Sequence, residues 1–256
     1  MLGFEVLGKA LATYLTKTRH IHSVSPATPA ELLLSCLRPG DVLLVEGNAR
    51  VSSAIKYLTQ STWSHAALFV GSLGRSSSDT DAACFVEADA VAGVRCVGMG
   101  AFADFHTRIC RPVGLSDKDC ENVVRFALEH VGDRYDLRNV IDLARYLLPN
   151  PPVPTRWRRR MIALGSGDPS RAICSTLIAQ AFQSIHYPIL PEIEARPAQT
   201  PECPACVEEI LHIRHYSLFT PSDFDASPYF QIIKPEIEKG FDFHAVKWTW
   251  NNEDVA

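Results

Sequence analysis

Cys174 stands in the run Ala172-Ile173-Cys174-Ser175-Thr176-Leu177-Ile178-Ala179-Gln180-Ala181-Phe182. Its apolar spacing predicts a thiol in the first turn of a buried helix. His65 stands earlier, in Trp63-Ser64-His65-Ala66-Ala67-Leu68-Phe69-Val70-Gly71, at the mouth of an apolar strand. A thiolate, not a thiol, is the nucleophile, and unsatisfied N–H groups at a helix start favour the anion. Asp168 or Ser170 can cap such a helix, and Pro169 is tolerated at its start. A backbone N–H there can also face an oxyanion. His65 is then the candidate base.

A base of this kind needs a third group to fix its tautomer. Glu87, near the end of the next predicted strand, is the first candidate, and Asp89 is the second. A hairpin across residues 72–81 would bring that strand beside His65, which shares a strand face with Ala67 and Phe69 by alternation.

The elements that must position these groups are legible in outline. Residues 1–20 have apolar positions at helical spacing (Phe4, Leu7, Leu11, Tyr14), and Thr28–Leu37 reads as a helix with Thr28 and Glu31 at capping-box spacing. After the turn Arg38-Pro39-Gly40-Asp41, residues 42–46 read as a strand and 51–60 as a helix. Strands are predicted over 66–71, 83–88, 94–97 and 107–112. Ser116–Val131 reads as a helix with Ser116 at its N-cap and Gly132 as its stop. Residues 136–148 read as helix, 206–212 as a short helix, and 229–233 as a final strand. Trp248 and Trp250 suggest a packed tail. The irregular mixing of strands and helices predicts an α+β fold with a small, mostly antiparallel sheet.

Composition is that of an ordinary globular protein: 46% hydrophobic, 21% charged, net charge -4 and pI near 6.1. A nucleic-acid partner would call for a strongly basic face, so none is expected. No apolar run approaches the ~18 residues of a membrane span, and the first residues lack a basic leader. A cytoplasmic protein is expected, with contact at a membrane surface through the N-terminal helix or Arg156–Arg160 as a further expectation. The eight cysteines read as reduced thiols.

These segments together resemble the circularly permuted branch of the NlpC-type papain-like cysteine hydrolases, in particular the YiiX/YebB-like group. The resemblance rests on Leu37-Arg38-Pro39-Gly40-Asp41-Val42-Leu43-Leu44, Trp63 to Gly71, Val86-Glu87-Ala88 with Gly93-Val94, Gly132-Asp133-Arg134-Tyr135-Asp136, Ile173 to Ile178, and Thr220 to Phe230. In the permuted branch the histidine strand precedes the cysteine, as here. The resemblance implies Cys174 as nucleophile, His65 as base and Glu87 as orienting residue, with the cysteine helix packed on the sheet. It implies a substrate or oxyanion role for Tyr135, and Ser64 and Trp63 are expected beside the substrate. It divides the chain into a helical extension (1–36), a catalytic domain (37–235) and a tail (236–256). The insertion over 137–168 departs from the pattern and is read as a lid or specificity wall.

Cys203-Pro204-Ala205-Cys206 with His212 and His215 has metal-ligand types, but a single CxxC with this spacing is a weak zinc signal. No metal and no cofactor are expected. The function expected is hydrolysis of an amide or ester in a small peptide or acyl lipid through a Cys174 acyl-enzyme. A lecithin retinol acyltransferase-like acyltransferase or phospholipase is the alternative, and a non-catalytic binding domain is the third.

Overall fold

The computed structural model describes residues 27–72, 83–89, 92–133, 173–197 and 207–247. The expectations for residues 1–20, 136–148, Arg156–Arg160, Cys203, Cys206, Trp248 and Trp250 lie outside these. Numbering elements in chain order, α1 (Ala30–Cys36), β1 (Val42–Val45), α2 (Arg50–Thr59), β2 (His65–Ser72), β3 (Ala83–Asp89), β4 (Gly93–Val97) and β5 (Thr107–Pro112) come first. They are followed by α3 (Asp117–Glu129), α4 (Ile173–Ser184), β6 (Glu192–Pro197), β7 (Val207–His212), α5 (Pro221–Ala226), β8 (Phe230–Ile233) and α6 (Pro235–Glu238).

Six strands form one sheet in the order β4-β3-β2-β1-β5-β8, antiparallel at every pairing. The fold is α+β, as the irregular mixing of elements predicts. β1 and the core of β2 are buried on both faces, which is why their sequences are continuous apolar runs. On one face Leu177, Ile178, Ala181 and Phe182 of α4 pack with Ala66, Leu68, Val70, Val86 and Ala88. On the other, Leu33 of α1, Met99 and Phe102 pack with Leu43, Val45, Ala67, Phe85 and Ile109. Burying a side chain such as Phe182 or Leu177 is worth roughly 1.5–3 kcal/mol, so α4 is held as a rigid layer.

Ser116 caps α3 in a reciprocal box with Asp119, as its position predicts. The capping box expected at Thr28 and Glu31 does not form. Instead α1 begins after Pro29, which occupies the N-cap without a side-chain bond. Of the segment 206–212, expected as a short helix, residues 207–212 form β7. A segment this short cannot hold a helix alone, and its backbone pairs along its length with β6, from Glu192 opposite His212 to Pro197 opposite Val207.

Candidate active site

His65 is the first residue of β2, at the end of the sheet, and is bonded in register with Val45 of β1. Ala67, two residues on, lies opposite Glu87, and Glu87 lies opposite Arg95. Directly paired residues share a face, so His65, Glu87 and Arg95 project to one side. A diagonal pair such as His65 and Glu87 sits ~7–8 Å apart at the backbone, within reach of long side chains. Nε2 of His65 donates to Oε2 of Glu87 at 2.6 Å. Arg95 donates to the other oxygen, Oε1, through Nε at 2.9 Å and lies 2.8 Å away through Nη2. Glu87 is 4% exposed, whereas a quarter of the His65 side chain remains open.

Cys174 is the second residue of α4 and is 4% exposed. Its side chain lies near enough to His65 to act on the charge of the imidazole. With Nε2 committed to Glu87, Nδ1 is the ring nitrogen left to meet the thiol. The next residue, Ser175, is wholly buried and donates its hydroxyl to the carbonyl of Phe219 at 2.7 Å, which fixes the opening turn of α4.

The electrostatics follow this order of contacts. Burial works against a charge on His65, but Cys174 and then Glu87 outweigh it and push the imidazole up to about 10. Burial raises the Glu87 carboxyl, and His65 and Arg95 outweigh it, holding the group below the usual carboxylate range. Cys110 differs. It is buried in the sheet near Asp225, and desolvation above all pushes its thiol far up. The site thus gathers a thiol, an imidazole, a carboxylate and a guanidinium, a set that can hold a proton at the imidazole beside a sulfur.

Trp63 and Ser64, expected beside the substrate, lead directly into His65. Trp63 and Ser64 are buried and spend their polar groups internally. The Trp63 indole N–H donates to Asp225 Oδ2 at 3.0 Å, and Ser64 Oγ accepts from the Gly47 backbone at 2.9 Å. A Cβ on Gly47 would collide with Ser52 Oγ and come 2.9 Å from Ser64 Oγ, so the chain passes this point only as glycine. Tyr135 lies outside the described residues, although Asp133, two positions before it, accepts from Val94 of β4 at 2.9 Å. Asp89, the alternative to Glu87, lies 4.0 Å from Arg95 and accepts from the Ala92 backbone.

Arg95 was not among the expected site residues. Its signal was the β3–β4 register, which pairs Asp89 with Gly93 and so sets Arg95 opposite Glu87. Of the metal-like set, His212 bonds Glu194 at 2.9 Å and His215 bonds Ser217 at 2.8 Å. Among the described residues no group of three His, Cys, Asp or Glu side chains is placed to hold a metal ion, and no helix is long and apolar enough to cross a membrane.

Comparison with known proteins gives a family match over residues 36–146, to the permuted papain-like amidase enzymes, YaeF/YiiX, C92 family. The match takes in His65, Glu87 and Arg95 and ends before Cys174. No protein with a curated description matches the chain. Among solved structures, the crystal structure of metalloprotein yiiX from Escherichia coli O157:H7 aligns with a TM-score of 0.45 and 15% identity, over 77% of this chain and 96% of that one.

Proposed function

We propose, from the similarity of residues 36–146 to the permuted papain-like amidases of the YaeF/YiiX type, that this chain is a cysteine hydrolase acting on an amide or ester through Cys174. The observation that carries the reading is His65 bonded to Glu87, with Cys174 close enough to favour the charged imidazole. Sulfur attacks the carbonyl carbon, and the proton rests on the imidazole at Nδ1. Glu87 keeps Nε2–H pointed away from the sulfur and stabilises the imidazolium. Collapse of the tetrahedral adduct expels the amine or alcohol, which takes its proton from His65. Water then enters, gives a proton back to His65, and releases the acid from the thioester. The start of α4 offers backbone N–H groups to the developing oxyanion.

The test is a thiol-directed probe with peptide mapping, run beside hydrolysis assays on peptide amides and acyl esters. Cys174 is expected to label ahead of Cys36, Cys96, Cys110 and Cys120. Cys174→Ala should abolish turnover while leaving the fold intact. Full turnover by the Ala variant would sink the reading. Mass spectrometry of the trapped acyl group identifies which carbonyl the thiol meets.

A further inference from the structure

We infer that Arg95 is a positioning residue for the His65–Glu87 pair, clamping the carboxylate from the neighbouring strand so that only one of its oxygens faces the imidazole. The inference rests on the proposed thiol–imidazole site and adds a fourth member to it.

Each oxygen of Glu87 has its own cation: Oε2 meets His65 at 2.6 Å, and Oε1 meets Arg95 through two nitrogens. A carboxylate held by one partner alone can rotate about its last torsion, which is broad and nearly two-fold. Held at both oxygens, it cannot rotate without breaking charge-assisted bonds. The clamp is itself braced. Arg95 is directly opposite Glu87 in the β3–β4 ladder, and its guanidinium also lies 4.0 Å from Asp89. Arg95 is 48% exposed but its partner is buried, so this is not an ordinary surface ion pair. The carboxylate it serves has been taken out of water, and an unpaired charge there is costly. The charged groups facing Glu87 are His65 from β2 and Arg95 from β4, with Asp89 on its own strand and Cys174 of α4 reached through His65.

Removing Arg95 has a definite sign. Glu87 then protonates at higher pH, and the imidazolium loses its counter-charge from the acid side. The alkaline side should not move down, because Arg95 also repels the imidazolium. Arg95→Met and Arg95→Lys in the full chain test this. The first readout is the pH dependence of Cys174 alkylation by iodoacetamide, and the second is His65 ring protonation followed by long-range proton–nitrogen NMR. Arg95→Met is expected to lose alkylation by about tenfold at pH 5, with a much smaller loss at pH 8, and the Lys variant to recover part of it. A single cooperative unfolding transition, with its midpoint well above the assay temperature, separates this from a folding defect. Profiles and His65 titration identical to wild type in the Met variant would overturn the inference. A wild-type chain with no Cys174-dependent turnover, but with the expected NMR change, would overturn the hydrolase reading and leave the clamp standing.

Discussion

Trp63 and Asp225 stand 162 residues apart, yet the indole N–H of one donates to the carboxylate of the other at 3.0 Å. The same carboxylate receives Arg108 at 2.7 and 2.9 Å, and the Arg108 guanidinium lies 4.9 Å over the Trp63 ring. Trp63 is two residues before His65, so this latch ties α5 to the start of the histidine strand. Asp225→Ala should cost about 1–3 kcal/mol, because it leaves a buried indole N–H without its acceptor. Urea unfolding measures it. A loss below ~0.5 kcal/mol, within the ordinary range for surface changes, would mean that the latch contributes nothing beyond surface contact.

Asp41 and Arg111 set the other end of the sheet. Arg111 reaches both carboxylate oxygens, at 2.9 and 2.7 Å, and also the carbonyl of Cys36. Asp41 is 1% exposed, and burial raises its carboxyl despite these bonds. Arg111→Ala should destabilise by about 3–5 kcal/mol, the cost of stranding a buried charge. The double change Asp41→Leu with Arg111→Met should recover most of that. If the double variant is no more stable than Arg111→Ala, the cost lies in packing and not in the stranded carboxylate.

His65 makes stability depend on pH in a set direction. Its imidazole is raised to about 10, against an ordinary value near 6.5. A group raised in the folded state contributes stability that is fully present below pH ~6.5 and is lost as pH rises through about 10. The gap in unfolding free energy between wild type and His65→Gln should therefore be widest near pH 6 and close by pH ~10.5. Turnover that relies on the imidazolium as proton donor should fall over the same alkaline range. The Gln variant should be slower by ~10²–10⁴ at neutral pH. A gap that widens with rising pH would contradict the imidazole's upward shift.

The strands that carry the site were legible because their signals are local. Period-two alternation and turn residues set His65 and Glu87 on neighbouring strands, and the apolar spacing around Cys174 marked a buried helix start. What escaped depended on partners far away in the chain. Residues 207–212 read as helix because nothing in them announces Glu192–Pro197 as a ladder partner. The polar partners of Trp63 and Ser64, Asp225 and Gly47, could not be read from their position beside a histidine. Arg95 escaped for a narrower reason. Its role follows only from the exact register of one hairpin, and a shift of one residue would have turned it to the opposite face.

The sheet order carries one more consequence. β2, β3 and β4 are consecutive in the chain and pair as neighbours, so the imidazole, carboxylate and guanidinium all lie between His65 and Val97. Synthesis proceeds from the N-terminus. The proton-handling row is therefore translated before the thiol exists, and Asp225 and β8, which pairs with β5, come later still. A ribosome-bound chain carries first the imidazole with its carboxylate, then the Cys174 sulfur, and only later the latch that steadies the strand on which His65 stands.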